Sequence, residues 1–390
     1  MSTQNPEDLL RATLAAKADD AATTLTVDDI RRGAATSRRR GRRRAAVVLV
    51  AAAVLAAVAV PTALLLRSGE PEGQPAPAPT APTTTPTTTL GGSIRGLPRS
   101  AAPGVTYRQE GTIHLASGGT TALPGDVRNI SAFAAYHGGW LVADDDTGTV
   151  RWYDNTGALK ADGDGLGLFA ASADGTRLAY PMGGKIHIGI ASGMGEGEQT
   201  VPVAHSRDVW PVGFLSAGAL VYNDAGGVRT SEPARAFPAA MARARAVSVD
   251  DVVAGEDQDG RGMAWSARTG KTLWEHSDYT VWAFSADGRY AAATKSPTGG
   301  DFSEVAILEA STGHVVAAAS LLDDNGGGIV MDRTPVFDSN GDLLFIGLDN
   351  TGEHAILRLT PDGVESRTTD PVLPTPGVAG YSPLLFATGP

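Results

Sequence analysis

Residues 131–160, SAFAAYHGGWLVADDDTGTVRWYDNTGALK, contain the pattern that decides the fold. Short runs of apolar and aromatic residues alternate with turns rich in Gly, Asp and Asn. We predict strands at 130–136, 140–143, 149–153 and 158–160, because aromatic and β-branched residues favour strands, whereas Gly and Asn tolerate the positive φ of tight turns. Four antiparallel strands in about 35 residues correspond to one blade of a β-propeller.

The turns of this unit recur along the chain at two fixed places. A turn of the form S-x-D-G, or a close variant, follows the first strand of a unit, and a second turn ending in Thr-Gly joins its third and fourth strands. The first turn contains Ser172, Asp174 and Gly175, then Ser285, Asp287 and Gly288, then Asn340 and Gly341. The second turn contains Thr156 and Gly157, then Thr269 and Gly270, then Thr312 and Gly313. We interpret all of these as structural blade turns, repeated with one supersecondary unit.

The spacing of the units predicts seven blades. First strands centre near Phe133, Phe169, Phe214, Val249, Phe284 and Phe337, which gives six complete units. Residues 104–123 supply three further strands without a first strand, and the C-terminal run YSPLLFATGP can pair beside residues 104–108. The sequence therefore predicts an all-β, seven-bladed propeller over residues 93–390, with six or eight blades as alternatives. The weakest part is 231–246, which shows no clear strand.

The S-x-D-G turn in the first hairpin carries a family resemblance. On these residues the chain resembles the WD40-like and TolB-like bacterial β-propellers, over about 290 residues. The Trp-Asp dipeptides of eukaryotic WD40 repeats are absent, so the resemblance is to the looser bacterial type. It implies a fold and no particular activity, since propellers serve many functions.

An apolar segment precedes the propeller. Residues 45–66 are 22 residues without a charge, and roughly 20 suffice for a transmembrane helix. Six arginines directly precede them: Arg38, Arg39, Arg40, Arg42, Arg43 and Arg44. Because Lys and Arg accumulate on the cytoplasmic side of a span, we predict a single-pass membrane protein with its N-terminus in the cytoplasm and its propeller extracytoplasmic. A cleaved signal peptide, with a small-x-small site at 57–59, is the alternative.

Charge and composition divide the chain at the same place. Residues 1–44 form a cytoplasmic leader with a net charge of +4, and residues 93–390 have a net charge of −14. Residues 67–92 are rich in Pro and Thr and are predicted to be a disordered linker. So acidic a domain is a poor nucleic-acid binder, and we predict no nucleic-acid partner. Arg outnumbers Lys 27 to 5, which indicates a high-GC, actinobacterial source.

No motif indicates catalysis. The seven histidines lie at no metal-ligand spacing, although those in predicted strands, His187 and His354, could meet across the channel. Several acidic clusters occur, and none continues into a full calcium-binding loop. We therefore expect no catalytic residue, no metal and no cofactor. The six tryptophans are expected to pack mostly between blades, with one or two at a rim as a contact surface.

Three functional hypotheses remain open. The first is a non-enzymatic propeller that binds, senses or scaffolds an extracytoplasmic protein or cell-wall ligand. The second is a propeller enzyme of the lyase, lactonase or cyclase type with its site at the channel mouth. The third is a transmembrane regulator that binds a cytoplasmic regulatory protein such as a sigma factor through residues 1–30, because the layout looks like actinobacterial membrane proteins associated with alternative sigma factors.

Overall fold

We describe the protein from a computed structural model, which places residues 87–389 apart from short gaps. The gaps are residues 91, 125–128, 166–167, 191–198, 204–208, 233–235, 277, 296–301, 323–327, 332–333 and 375–381. The predicted leader, the arginine run, the apolar segment 45–66 and residues 67–86 of the predicted linker lie outside the described residues. Within the described residues, no helix is long and apolar enough to cross a bilayer.

The described chain is all-β and contains seven sheets, which confirms the predicted seven-bladed propeller. Blade 1 contains β2 (Tyr107–Gln109), β3 (Thr112–His114), β4 (Thr120–Ala122) and β29 (Leu384–Phe386). Blade 2 contains β5 (Ile130–Tyr136), β6 (Gly139–Asp144), β7 (Thr149–Tyr153) and β8 (Leu159–Asp164). Blade 3 contains β9 (Ala170–Ala171), β10 (Arg177–Met182), β11 (Lys185–Ile190) and β12 (Gln199–Pro202). Blade 4 contains β13 (Trp210–Phe214), β14 (Leu220–Asp224) and β15 (Gly227–Thr230).

The remaining three sheets follow in the same up-and-down order. Blade 5 contains β16 (Arg243–Val247), β17 (Val252–Glu256), β18 (Gly262–Ser266) and β19 (Lys271–His276). Blade 6 contains β20 (Tyr279–Phe284), β21 (Tyr290–Lys295), β22 (Glu304–Glu309), β23 (Val315–Ser320) and, on its outer edge, β1 (Thr87–Thr89). Blade 7 contains β24 (Val330–Met331), β25 (Val336–Phe337), β26 (Leu343–Leu348), β27 (His354–Leu359) and β28 (Glu365–Arg367).

The two ends of the described chain close one blade together, as the sequence predicts. β29, from the C-terminal end, pairs antiparallel with β2 as the first strand of blade 1. Arg108 lies at this junction with 1% of its surface exposed, and its Nε donates to the Glu110 carbonyl at 2.5 Å. Each blade also contacts the next, and blade 7 contacts blade 1 through β27 and β29. The seven sheets therefore form a closed ring without an open first or last blade.

Small side chains allow the blades to pack closely. Ala291–Ala293 and Ala317–Ala319 are fully or almost fully buried in blade 6. Larger residues such as Phe345 and Leu357 of blade 7 fill the space between that blade and its neighbour. Alternation of small and large apolar residues on facing sheets is what a close-packed core between blades requires.

The structure corrects the outer end of the predicted linker. Thr87–Thr89 pair in parallel with Ala318–Ser320, and the Leu90 amide donates to the Ser320 carbonyl at 3.0 Å. Leu90 and Ile94 are buried in the core shared by blades 6 and 7. Leu90 and Ile94 are bulky and apolar, whereas the Pro/Thr composition that predicts disorder is averaged over a window. The folded domain thus begins by residue 87, and the boundary at 93 is wrong.

The structure also corrects the fourth-blade region. Residues 231–246 were expected to contain no clear strand, yet Arg243–Val247 form β16, the first strand of blade 5. This strand alternates Arg with Ala, and its alanines are buried against neighbouring blades. The apolar residues of the Arg–Ala run are small and occupy only every second position, so the apolar pattern that marks a strand is weak here. Blade 4 itself has three strands among the described residues.

Candidate functional site

The predicted turn residues of the first hairpin occupy equivalent turns. Ser172 Oγ donates to Asp174 Oδ1 at 2.5 Å, and Gly175 has φ of 67°. The hydrogen bond from Ser172, followed by those from Thr176, lowers the pKa of Asp174 to about 2. In blade 6 the same arrangement is built from Ser285, Asp287 and Gly288. In blade 7 the amide of Asn340 donates to Asp338 Oδ1 at 2.8 Å, and Gly341 has φ of 81°.

The first-hairpin turn of blade 5 is a further copy, although its sequence, Ser248 to Asp251, lacks the glycine of the S-x-D-G pattern. Ser248 Oγ accepts from the amides of Asp250 and Val252, whereas Ser172 and Ser285 each accept from the amide five residues later. The glycine position is occupied by Asp251, whose φ is 61°. The Asp251 carboxylate, only 4% exposed at residue level, accepts from the Ser216 amide at 2.6 Å and from its hydroxyl at 2.7 Å. Asp251 thus ties blade 5 to blade 4 and accepts a strained backbone conformation.

The predicted Thr-Gly turns lie between third and fourth strands. Thr156 donates from its amide and its hydroxyl to Asp154 Oδ1, and Gly157 has φ of 80°. These hydrogen bonds, that of the Thr156 side chain first, lower the pKa of Asp154. The corresponding residues Thr269 and Gly270 lie between β18 and β19, and Thr312 and Gly313 lie between β22 and β23. The hydrogen bonds of these turns join neighbouring strands, and we assign the turns a structural role.

The residues facing the central channel are set by a bulge that repeats around the ring. The register between first and second strands shifts by one residue in blades 2, 4, 5 and 6. The skipped residues are Ser131, Val212, Arg245 and Trp282. Each is partly exposed. Because a first strand pairs on one side only, its other edge faces the channel, and a bulge aims the extra side chain there.

Two arginines and two tryptophans on the first strands of blades 4, 5 and 6 form two stacked pairs, to which the bulges contribute Arg245 and Trp282. The guanidinium of Arg243 lies over the ring of Trp210 from blade 4, with 4.7 Å between its central carbon and the ring centroid. The guanidinium of Arg245 lies over the ring of Trp282 from blade 6, also at 4.7 Å. Each such cation–π contact stabilises the stacked pair by about 0.5–2 kcal/mol. A rigid planar guanidinium is thereby held in place at each position.

One carboxylate links the two arginines. Glu256, at the end of β17, places Oε1 2.9 Å from Arg245 Nη2 and 3.4 Å from Arg243 Nη1. We call Trp210, Arg243, Arg245, Glu256 and Trp282 the arginine–tryptophan cluster. It contains two positive charges and one negative charge, so it is locally cationic in a domain whose net charge is strongly negative. It is partly exposed and spans blades 4, 5 and 6.

A hydrogen bond and an aromatic contact hold the ring of Trp282 in place. Its indole Nε1 donates to Thr294 Oγ1 at 2.7 Å, and Phe302 packs edge-on against it at 5.9 Å. Nearby in blade 6, Tyr279 donates a hydrogen bond to Glu304. Burial, followed by that contact, raises the pKa of Tyr279. Tyr279 is therefore a neutral hydrogen-bond donor at physiological pH.

Two open grooves of about 540 Å³ lie away from this cluster. One runs along the outer side of blade 4, between β15 and residues 236–241. The other lies beside the first-hairpin turns of blades 5 and 6 and is lined by Asp287, Arg289, Glu309 and His314. Both are wide open to solvent, and neither brings together the tryptophans of the channel wall.

The other candidates from the sequence are dispersed. His187 and His354 lie in β11 and β27, the third strands of blades 3 and 7, so they do not face each other across the channel. Within the described residues, no group of three or more His, Asp or Glu side chains is arranged to hold a metal ion. Trp265 and Trp274 are buried as expected. The arginine–tryptophan cluster was not predicted, although Arg243 and Arg245 alternate in a strand of an acidic domain.

The comparisons with known proteins show a likeness of fold alone. No protein-family model matches the sequence, and no curated protein matches it significantly. The β-propeller domain of Myceliophteria thermophila Cps50 (Swd1) is 13% identical, with 63% of this chain and 85% of that chain covered and a TM-score of 0.45. TolB from Acinetobacter baumannii is 13% identical, with 68% and 64% covered and a TM-score of 0.41. Dihydro-heme d1 dehydrogenase NirN in complex with DHE is 15% identical, with 73% and 79% covered and a TM-score of 0.43.

Proposed function

We propose that this protein is a non-enzymatic binding module, a seven-bladed propeller held outside the cytoplasmic membrane by a single N-terminal span. The observation that carries the binding role is the arginine–tryptophan cluster on the channel wall. Its two guanidinium planes are held by stacking on Trp210 and Trp282 before any ligand arrives. A site that is ordered in advance loses less conformational entropy when it binds. The ligand is an extracytoplasmic protein or a component of the cell envelope.

The residues of the cluster suit binding better than catalysis. Guanidinium groups keep their protons in proteins, so Arg243 and Arg245 can orient an anion and cannot exchange protons with it. The carboxylate of Glu256 already accepts from both arginines. The cytoplasmic regulatory partner predicted for residues 1–30 concerns a segment that lies outside the described residues.

The anchored topology is supported by the sequence pattern of arginines followed by an uncharged segment. The chain contains no cysteine, so a single introduced thiol is an unambiguous reporter. Ser117→Cys, in the exposed turn after β3, reports on the propeller, and Ser2→Cys reports on the leader. A membrane-impermeant maleimide added to intact cells should label Ser117→Cys and label Ser2→Cys only after lysis.

The same two reporters separate the anchor from its alternatives. Labelling of Ser2→Cys but not Ser117→Cys in intact cells would reverse the orientation. A mature chain that has lost the Ser2→Cys reporter, and whose mass matches cleavage near residue 59, would replace the anchor by a signal peptide. A chain that fractionates with the cytosol in both variants would reject the membrane role altogether.

A further inference from the structure

The arginine–tryptophan cluster has an unbalanced charge that points to a class of ligand. Arg243 and Arg245 share a single carboxylate, and both reach the same oxygen of Glu256. The Arg243 side chain is 40% exposed, so guanidinium donors remain available to a molecule in the channel. Arg245 is held deeper, and its Nε has no hydrogen-bond partner among the described residues. One positive charge is therefore left over within the cluster.

The surroundings make this excess charge specific. Residues 93–390 have a net charge of −14, so most of the domain repels anions. At the cluster, each tryptophan ring covers one face of one guanidinium. The N–H groups of that guanidinium point outward in its own plane, which is where a carboxylate accepts hydrogen bonds. The pair already engages one carboxylate, that of Glu256, at hydrogen-bonding distance for Arg245. The arginine pair is therefore arranged to donate hydrogen bonds to a carboxylate oxygen.

We propose that the arginine–tryptophan cluster binds the carboxylate group of an anionic ligand, with Arg243 as the principal contact and Arg245 as the residue that positions Glu256. This inference rests on the proposed binding function and names its ligand class. Glu256 competes for the same donors, and so limits the affinity for the ligand carboxylate. The bulged residue of blade 4, Val212, is neutral and contributes no charge.

The test is a calorimetric titration of the purified full-length chain with glucuronate, and with glucose as its neutral counterpart. We expect glucuronate to bind and glucose not to bind. Arg243→Gln should weaken glucuronate binding about 10-fold or more, because a hydrogen bond to a charged group is lost. Glu256→Gln should strengthen it several-fold, because the internal competitor becomes neutral. A structural role for Glu256 alone would give no such gain.

Arg261→Gln is the matched control. Arg261 lies in the turn that follows Glu256, is paired with Asp257 and Asp259, and has no tryptophan contact among the described residues. It should leave glucuronate binding unchanged. Equal losses in the Arg243 and Arg261 variants, equal binding of glucose, or no binding of glucuronate would overturn the proposal. Binding of inorganic phosphate without a response to glucuronate would overturn the carboxylate assignment. None of these results affects the labelling test of the anchor.

Discussion

The backbone strain at Asp251 can be measured. Its φ of 61° is unfavourable for a residue with a Cβ, and its carboxylate accepts two hydrogen bonds from Ser216. Asp251→Ala should lower the free energy of unfolding by about 2 kcal/mol, since the Ser216 amide loses its acceptor. Asp251→Gly loses the same hydrogen bonds and relieves the strain, so it should cost about 1 kcal/mol less. Denaturant unfolding measures both, and equal costs would show that the backbone carries no strain.

Glu365 gives the fold a pH dependence at the residue scale. Burial raises the pKa of Glu365 to about 7, and its Oε1 has no hydrogen-bond partner among the described residues. The folded state therefore holds a proton that the unfolded chain releases near pH 4.5, so stability falls as pH rises from about 4.5 to about 7. Glu365→Gln should abolish this part of the fall and stabilise the protein by about 1 kcal/mol at pH 8, a value reduced for partial exposure.

Unfolding midpoints between pH 4 and pH 8 test this expectation. The exposed Glu275 of the outermost strand β19 supplies the control, and Glu275→Gln should keep the pH profile of the parent chain. Parallel pH profiles for the parent chain and for Glu365→Gln would mean that the Glu365 carboxylate is solvated after all.

At the scale of elements, the segment before blade 1 acts as a strap. Residues 87–102, with residue 91 outside the described set, run along blade 6 and then blade 7. The Ile94 amide donates to Asp349 Oδ2 at 3.2 Å, Arg95 forms two hydrogen bonds to Glu353, and Arg99 forms an isolated bridge with Arg367. These contacts attach the N-terminal end of the described chain to both blade 6 and blade 7.

The strap should be energetically part of the propeller. Leu90 is 1% exposed in the core of blades 6 and 7, so Leu90→Ala should destabilise the protein by about 2–5 kcal/mol through lost burial and the cavity left behind. Leu159→Ala, at a leucine that is 51% exposed, should change stability by less than about 0.5 kcal/mol. Thermal unfolding of the two variants side by side decides the matter, and similar small effects would return residues 87–92 to the linker.

Elements defined by local sequence were the predictable ones. The first three strands of blade 2 were predicted to within one residue at each end, because hydrophobic alternation and glycine turns are local signals. The fourth, predicted at 158–160, extends to Asp164. Three features depend on distant partners and were missed. Leu90 and the strap need blades 6 and 7, Asp251 replaces a turn glycine through its bond to Ser216, and the pairing of Arg243 with Trp210 joins two blades. Bulge positions set which residues reach the channel, and no sequence pattern marked them.

For the whole molecule, the decisive junction is the pairing of β2 with β29. The Glu110 amide donates to the Pro383 carbonyl at 2.7 Å, and the Ala387 amide donates to the Thr106 carbonyl at 2.9 Å. Alternation along an antiparallel ladder then makes Gln109 and Leu384 a non-hydrogen-bonded pair, whose Cα atoms lie about 4.5 Å apart. That separation suits a disulfide. The Cys-free chain offers no competing thiol.

Gln109→Cys combined with Leu384→Cys should therefore oxidise spontaneously and lock the ring. The bond closes a loop that contains almost the whole propeller, so the chain-entropy estimate for its stabilising effect is about 6 kcal/mol. Comparison of the oxidised and reduced forms of the same variant cancels the packing lost with the Leu384 side chain. We expect a higher unfolding midpoint for the oxidised form. If the two thiols stay reduced in the folded protein, the ring closes at another junction, and the seven-blade arrangement must be redrawn around it.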